Sequence, residues 1–279
     1  MTTTYTKNEQ IRHTVREHYT RVAQAPGASC CAAGCCVPSS AASSLRIGYS
    51  ERDLAAVPEG ADLGLGCGNP RAIASLRPGQ TVVDLGSGAG FDCLLAAREV
   101  GAQGRVIGVD MTVEMVSKAR ANAGKAEAEN VEFRLGEIEH LPVADGSTDV
   151  VLSNCVINLA PDKLQVLREA FRVLKPGGRL ALADVVALSE LPDSIRQQAA
   201  AISGCIAGAA RVDEYRDMLA AVGFDEIRVS VHPESREFVR DWLPGSGAER
   251  YVASASVEAI KPKADGCCAP DCCSEDGGA

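Results

Sequence analysis

The segment TVVDLGSGAGFD, residues 81–92, limits what this chain can fold into more than any other segment. It joins a short apolar strand, residues 81–85, to a helix that starts near Phe91, through a loop with glycine at every second position. Such glycines let backbone amides approach a ligand closely, and the following helix presents its N-terminus at the same place. The spacing G-x-G-x-G differs from the dinucleotide loop G-x-G-x-x-G, and alone it is equally typical of a tight turn.

Two acidic residues near this loop favour a ligand site over a plain turn. Asp84 lies at the end of the strand that enters the loop, and Asp110 ends the next strand. A carboxylate at the second position can accept hydrogen bonds from both hydroxyls of a ribose. Together with the loop and its helix, these residues predict a nucleoside site.

Strands and helices alternate in the sequence on both sides of residue 110. Helices of about 10–15 residues between strands predict an α/β fold, with a parallel, doubly wound sheet and helices on both faces. The predicted strands are 81–85, 105–110, 131–136, 149–154, 179–186, 225–231 and 251–260. The predicted helices are 7–24, 91–100, 112–126 with Thr112 as the N-cap, 162–174, 193–203 and 212–222.

Charge and hydropathy exclude several classes of partner. The formal net charge of -9 argues against a nucleic-acid partner, whose phosphates require a basic face. No apolar run approaches the roughly 20 residues of a membrane span, and the N-terminus lacks the apolar segment of a signal peptide. We therefore expect a cytoplasmic protein without nucleic-acid or membrane partners. Its 12 cysteines would stay reduced there and act as ligands or catalysts.

Three of the cysteines stand alone in unlike settings: Cys67 in LGLGCGNP, Cys155 in LSNCVINL and Cys205 in ISGCIAG. A free cysteine is most often a small buried apolar group, and Cys205, in an Ala/Gly/Ile-rich helical stretch, fits that description too. Cys155 follows the fourth predicted strand, where it would meet the nucleoside. Cys67 lies in a loop between glycines, where burial is less expected. Cys93, inside the helix after the glycine loop, is interpreted as core.

The other cysteines form a repeated motif, Cys-Cys-x-x-x-Cys-Cys, near each end of the chain. Both copies lie in Gly/Ser/Pro-rich segments without periodicity, which predicts loops rather than packed elements. The members are Cys30, Cys31, Cys35, Cys36, Cys267, Cys268, Cys272 and Cys273.

Several segments resemble known methyltransferases. VVDLGSGAGFD, GVDMT and LPVADGSTDVVLSN are similar to class I S-adenosylmethionine methyltransferases. GYSERDLAAVPEGADLGLGCGNP, VDLGSGAGFDCLLAA, LSNCVINLAPDK and YVASASVEAIKP resemble the arsenite methyltransferases, over roughly residues 44–260. The resemblance implies a Rossmann-like sheet, S-adenosyl-L-methionine as the cofactor, and methyl transfer to trivalent arsenic for detoxification.

With this resemblance the chain divides into four expected regions. Residues 1–43 form an N-terminal helix and Cys-rich loop, and residues 44–190 form the S-adenosylmethionine-binding methyltransferase domain. Residues 191–262 form a C-terminal α+β region that binds the arsenic substrate. Residues 263–279 are a Cys-rich tail, expected to be flexible and disordered like the N-terminal loop.

The cofactor-binding residues that this implies lie on the loop and on the ends of neighbouring strands. Asp84 would bond near the loop or to the amino-acid part of the ligand, and Asp110 to the ribose. Met111, Ile138 and Glu139 would pack on and read the adenine, with core filling as the alternative for Met111 and Ile138. The full set is Asp84, Gly86, Ser87, Gly88, Gly90, Asp110, Met111, Ile138, Glu139 and Asn154.

The chemistry of arsenic gives the three lone cysteines a role. Trivalent arsenic is soft and prefers thiolates to carboxylates. Three thiolates leave it one lone pair, which can attack the methyl carbon of the cofactor, whereas zinc would require a closed tetrahedron of four ligands. We expect Cys155 and Cys205 to hold arsenic throughout, with Cys67 as the third ligand. Thiols must then return the two electrons that arsenic loses.

The resemblance also implies a fourth, N-terminal thiol, which forms a disulfide with the cysteine matching Cys67 in the redox step. Cys30 or Cys31 is favoured among the four candidates, with thioredoxin or glutathione as the reductant. The cluster Cys267–Cys273 would capture arsenite. The alternatives are that this cluster binds zinc or copper, or that the tail is dispensable.

Two other functions fit parts of the sequence. One is an S-adenosylmethionine-dependent methyltransferase that acts on a carbon or oxygen of a small organic acceptor. The other is a thiol-rich metalloid-binding protein without catalytic activity. The first predicts turnover that survives Cys155→Ser and Cys205→Ser, and the second predicts tight arsenite binding without consumption of the cofactor.

Overall fold

A computed structural model of the chain describes residues 6–24, 40–202 and 205–263. Both Cys-Cys-x-x-x-Cys-Cys motifs lie outside these residues, so the roles expected for Cys30, Cys31 and the C-terminal cluster stay predictions. Among the described residues no helix combines the length and the apolar character needed to cross a membrane.

Helices and strands alternate through most of the described chain. The helices are α1 (Lys7–Gln24), α2 (Ser40–Arg46), α3 (Glu51–Ala55), α4 (Pro70–Ala74), α5 (Phe91–Val100), α6 (Val113–Lys125), α7 (Lys163–Val173), α8 (Asp193–Ile202), α9 (Val212–Val222) and α10 (Arg236–Trp242). The strands are β1 (Thr81–Leu85), β2 (Arg105–Asp110), β3 (Val131–Leu135), β4 (Thr148–Asn154), β5 (Leu174–Ala187), β6 (Ala210–Arg211), β7 (Asp225–His232) and β8 (Val252–Ile260).

One sheet carries the fold, in the strand order β3-β2-β1-β4-β5-β8-β7, with the short β6 paired to β5. The strands β1 to β5 are parallel, as predicted. The two C-terminal strands extend the sheet at one edge, where β8 pairs antiparallel with both β5 and β7. The chain reverses its direction of travel across the sheet between β1 and β4, and ligands of such sheets bind at the carboxyl ends of those strands.

Alternating side chains of the central strands fill a core on each face of the sheet. In β1, Val82 belongs to a cluster with the apolar side of α5, whereas Val83 belongs to one with α7 and α9. Each fully buried valine or leucine of this kind contributes about 1.5–3 kcal/mol to folding. These two cores hold the carboxyl ends of β1, β2 and β4 in fixed relative positions.

The predicted elements that contain long periodic segments agree closely with the observed ones. Thr112 is the N-cap residue of α6 as predicted, although its side chain makes no capping hydrogen bond. The short helices α2, α3, α4 and α10 were not predicted, because five to seven residues are too few for a periodic pattern. Two of them have side-chain caps of a familiar sequence type: Ser50 and Asp53 form a capping box at α3, and Asn69 caps α4 before Pro70.

Candidate active site

The glycine-rich loop folds back against the end of β2. The amides of Gly86 and Ser87 both donate to the carbonyl of Val109, at 2.8 and 3.0 Å. Gly86 has φ +67°, and a Cβ there would lie 2.6 Å from both methyl carbons of Val156. Gly86 is therefore required for both its backbone conformation and its close approach to the residue that follows Cys155.

Asp110 is connected to this loop directly. Its carboxylate accepts hydrogen bonds from the amide of Gly88 at 3.0 Å and from the amide of Thr112 at 2.8 Å. Burial raises the pKa of Asp110, while these two hydrogen bonds act in the opposite direction. The carboxylate therefore lies at the mouth of the loop and is held rigidly by its backbone partners.

An open cavity of about 1090 Å³ lies in front of the loop. Nine of the ten predicted cofactor residues line it: Asp84, Gly86, Ser87, Gly88, Asp110, Met111, Ile138, Glu139 and Asn154. Gly90 does not; its φ is +90°, and a Cβ there would lie 2.7 Å from the ring of Phe133, so its part is to start α5 tightly against β3.

Sequence reasoning missed several parts of the cavity wall. Arg12, Val15 and Tyr19 of α1 line it, and Arg12 pairs with the buried carboxylate of Glu139 at 3.1 Å. Tyr49 and Asp92 line it as well, and the tyrosine hydroxyl donates to the Asp92 carboxylate at 2.6 Å. These contacts join residues far apart in the chain, and no local pattern indicated them.

Acidic groups give the cavity a character that suits a cationic nucleoside. Asp84 and Asp92 are buried close together, and burial followed by their mutual repulsion raises the pKa of Asp84 well above its ordinary value. Burial also raises the pKa of Asp92, against the hydrogen bonds from Tyr49 and Asn154. A ligand with a ribose and positively charged groups, such as S-adenosylmethionine, would meet an acceptor at Asp110 and carboxyl groups at Asp84 and Asp92, whose ionisation a nearby cation would favour. The residues present therefore fit this cofactor.

The three lone cysteines come together around Cys155, which lines the cavity. Their exposed fractions are 1% for Cys67, 4% for Cys155 and 5% for Cys205. The thiol of Cys155 interacts with both other thiols and lies within 4.8 Å of the Cys67 sulfur, and the Cys205 thiol donates to the Cys155 carbonyl at 3.3 Å. The expectation that Cys67 is less buried is wrong, because its loop folds onto the sheet between β5 and β8.

The pKa of each thiol lies above its ordinary value. Burial is the main cause for Cys67, and the hydrogen bond to Cys155 followed by burial is the cause for Cys205. At Cys155 the contact with Cys205 lowers the pKa, but the contact with Cys67 and burial together raise it well above the usual value. The three groups are therefore thiols rather than thiolates at neutral pH.

Polar contacts fix the loop of Cys67. Its amide donates to the side-chain oxygen of Asn154 at 3.0 Å, and its carbonyl accepts from the Ser254 hydroxyl at 2.6 Å. A Cβ on Gly66 would lie 2.7 Å from the side-chain amide nitrogen of Asn154. A Cβ on Gly68 would lie 2.7 Å from the Cβ of Ala183. Asn154, predicted as a cofactor residue, thus lines the cavity and also holds the Cys67 loop.

The backbone of Cys155 is itself unusual. Its φ is +60°, in the left-handed region that non-glycine residues rarely adopt, and its amide donates to the Ala183 carbonyl at 2.8 Å. Such a conformation costs on the order of 1–3 kcal/mol and is found mainly at functional sites. Cys93, by contrast, is fully buried in regular helix and donates to Asp84 at 3.2 Å.

Known proteins are similar to this chain in both sequence and fold. A family model described as a methyltransferase domain matches residues 76–223. An arsenite methyltransferase from Halobacterium salinarum is 52% identical, over 92% of this chain and 68% of that protein. An arsenite methyltransferase from Aquipseudomonas alcaligenes is 46% identical, over 59% of this chain. The chain covers 49% of that second relative, so it spans about half of its length.

A solved structure agrees with these relatives. The crystal structure of an arsenic (III) S-adenosylmethionine methyltransferase from Chlamydomonas reinhardtii is similar with a TM-score of 0.59 and 32% sequence identity. The similarity covers 82% of this chain and 75% of that protein.

Proposed function

We propose, for a chain that belongs to the family of S-adenosylmethionine-dependent arsenite methyltransferases, that Cys67, Cys155 and Cys205 hold trivalent arsenic while it is methylated. The observation that carries this proposal is the convergence of three separate buried thiols behind the cofactor cavity, with Cys155 in contact with the other two. Cys155 lines that cavity, whereas Cys67 and Cys205 are not among the described residues that line it.

The raised pKa values of the thiols are compatible with this chemistry. Each hydroxide on arsenite can take the proton of an incoming thiol and leave as water, so that an As–S bond forms without a free thiolate. The product carries three sulfur ligands and no net charge, which suits a buried apolar pocket better than three thiolates would. The softness of arsenic and sulfur makes the exchange favourable.

Residues of the glycine loop and of the strands beside it would hold S-adenosylmethionine. Asp110 would accept from the ribose, Met111 and Ile138 would pack against the adenine, and Asp84 would face the cationic amino-acid end. The bound cofactor supplies an electrophilic methyl group. The protein places the thiol-held arsenic beside it and excludes water, an orientation effect that can contribute several kcal/mol.

Thiols complete the cycle in this proposal. Arsenic loses two electrons when the As–C bond forms, and thioredoxin or glutathione would return them. Cys30 or Cys31 would take part by forming a disulfide with Cys67, and the C-terminal cluster would capture arsenite. We propose arsenic detoxification in the cytoplasm as the role, in line with four described cysteines that are all free thiols.

Incubation of the full chain with arsenite, isotopically labelled S-adenosylmethionine and a thiol reductant tests the proposal. We expect labelled methylarsenic species, identified by chromatography coupled to elemental mass spectrometry. Arsenite binding without cofactor consumption would instead indicate a metalloid-binding protein. Label found only in an added organic acceptor would indicate a different methyltransferase.

Replacement of Asp110 tests the cofactor assignment. Asp110→Ala removes the carboxylate expected to bind the ribose, and the loss of one or two charged hydrogen bonds corresponds to about 10–100-fold weaker cofactor binding. Isothermal titration with S-adenosylmethionine and with S-adenosylhomocysteine measures the change. Arsenite affinity is the internal control and stays the same. Unchanged cofactor affinity would contradict the ribose assignment.

The glycines beside Cys67 allow a separate test of the arsenic site. Gly68→Ala places a Cβ against Ala183 and displaces the Cys67 loop, and a shift of about 1 Å at a reacting group can lower a rate by about 10²-fold. We expect a 10–100-fold lower methylation rate, on this same basis, with unchanged cofactor affinity. Gly124→Ala in α6, where a Cβ meets no neighbour within 4 Å, is the matched control and keeps the full rate.

A further inference from the structure

A buried carboxylate, Asp184 in β5, lies beside the thiols and has no part in the function proposed above. One of its oxygens and the sulfurs of Cys67 and Cys155 all lie within 4.8 Å of one another. The Asp184 side chain is fully buried, with an exposed fraction of 0%. A charge enclosed in this way is costly unless its surroundings are built to hold it, so its position beside the arsenic ligands requires an explanation.

Three donors hold the carboxylate in one orientation. The buried hydroxyl of Tyr215 donates to it at 2.8 Å, the side-chain amide of Asn158 at 2.9 Å, and the amide of Val185 at 2.8 Å. Burial raises the pKa of Asp184 to about 6, and the hydrogen bonds keep it from rising further. Because all three donors point at its oxygens, the carboxylate acts only as an acceptor, which is the hydrogen-bonding pattern of its ionised form.

This charge does not help the thiols to ionise. After burial and the contacts among the thiols, the negative charge of Asp184 is a further cause of the raised pKa of Cys67, Cys155 and Cys205. A fixed anion at this place disfavours any additional anion and favours a cation. The relevant question is therefore at which stage of the reaction a cation forms beside Asp184.

Methyl transfer creates a cation at arsenic. The arsenic lone pair forms the As–C bond, the S–C bond breaks, and its electron pair returns to the sulfur of the departing S-adenosylhomocysteine. The sulfonium loses its positive charge, and arsenic, with three thiolate ligands and one methyl group, gains it on oxidation from As(III) to As(V). One unit of positive charge has thereby moved from the cofactor to the thiol site.

Asp184 lies near the thiol site, where the positive charge arrives, and not at the cofactor, from which it departs. Asp184 is not among the described residues that line the cofactor cavity, whereas Cys155 lines the cavity and also contacts the other thiols. Arsenic bound to the thiols would thus lie between the carboxylate and the reacting methyl group. We propose that Asp184 stabilises the positive charge that arrives on arsenic during methyl transfer.

The expected size of the effect follows from Coulomb's law. With an effective dielectric constant of about 20, moving a unit charge from about 8 Å to about 4 Å from a carboxylate corresponds to roughly 10–100-fold in rate. Fixed charges that act on the transition state in this way need no reorganisation during the reaction. The inference rests on the proposed function, since it concerns the charge on arsenic.

The test replaces Asp184 by its neutral isostere. In Asp184→Asn we expect the single-turnover rate of methylarsenic formation to fall roughly 10–100-fold at saturating cofactor. The dissociation constant of arsenite can be followed by the fluorescence of Trp242, which packs against the apolar cluster that contains the thiols. It should change less than about threefold, because neutral arsenite becomes a neutral tris-thiolate. Titrations with cationic S-adenosylmethionine and with neutral S-adenosylhomocysteine should show equally small changes.

Each of the other outcomes contradicts either the proposed role of Asp184 or the proposed function itself. A rate within threefold of the unaltered protein removes the proposed role of Asp184. Arsenite affinity that falls in step with the rate shows a purely structural role, and weaker binding of S-adenosylmethionine alone shows that the charge acts on the cofactor. Should the unaltered protein form no methylarsenic, the proposed function fails, irrespective of Asp184.

Two controls separate charge from packing. Tyr215→Phe removes one donor and keeps the carboxylate, so its rate should fall less than about fivefold, about 1 kcal/mol for one hydrogen bond. Asp149→Asn neutralises a carboxylate near the opposite end of β4, where it pairs with Lys175, and should leave the rate unchanged. Thermal melting checks folding. If Asp184→Asn does not fold, Asp184→Ser, which is smaller and still accepts from Tyr215, replaces it with the same expected loss.

Discussion

Cys155→Ser is expected to lower the rate of arsenic methylation by on the order of 10³-fold, beyond the 10–100-fold typical of losing a group that merely supports a ligand. Cys155 is the central thiol, since it contacts both Cys67 and Cys205 and alone reaches the cofactor cavity. A hydroxyl at this position is a poor ligand for arsenic and would leave the metalloid held by two thiols that do not face the methyl group. Both affinity and alignment are therefore lost.

The measurement compares turnover and arsenite affinity in Cys155→Ser with those in Cys93→Ser. Cys93 is equally buried but lies in α5, away from the other thiols, and a serine there can still donate to Asp84. We expect Cys93→Ser to keep its turnover within threefold, a change of about 0.6 kcal/mol. Turnover of a small organic acceptor that survives Cys155→Ser would favour a carbon or oxygen methyltransferase instead.

The fold was largely predictable because its central part consists of long periodic segments. The strands β1, β2 and β4 and the helices α5, α6 and α7 each bury a regular set of apolar residues, and their order allowed few topologies. The antiparallel edge was not predictable in the same way. Strands β7 and β8 have patterns compatible with either pairing direction, and only packing onto β5 decides between them.

The thiol site was predictable in its members but not in its supports. Chemistry singled out three lone cysteines, since their residue type limits what they can bind. Asn154, Ser254 and Asp184 had no such signature, because an asparagine, a serine or an aspartate has many uses. Their part depends on contacts between β4, β5 and β8 and the Cys67 loop, which tertiary structure alone creates.

The cofactor loop and the thiol site share one mechanical connection. Val156 follows Cys155 in the chain and packs against the backbone of Gly86. A bulkier residue at position 86 would therefore disturb both sites at once, the loop through its own backbone and the thiols through the displacement of Val156. The strained backbone of Cys155, with φ +60°, makes this segment sensitive to small displacements.

Gly86→Val is accordingly expected to have the second large effect. A β-branched residue at φ +67° is strained by about 1–3 kcal/mol, and overpacking against Val156 adds about 1–3 kcal/mol. If the loop must recover its native shape to bind the cofactor, about 4 kcal/mol corresponds to roughly 10³-fold weaker binding of S-adenosylmethionine. Calorimetry measures this loss, and arsenite affinity should weaken as well, but less.

The matched control separates strain in general from strain at this contact. Gly79 has φ +83° in the turn before β1, where a Cβ meets nothing within 4 Å. Gly79→Val should lower the free energy of unfolding by about 1–3 kcal/mol and leave both affinities unchanged. Gly86→Val could likewise lower only the free energy of unfolding and leave cofactor affinity intact. In that case the loop would be flexible enough to bind the cofactor in another shape. The close contact between Gly86 and Val156 would then not be what joins the two sites.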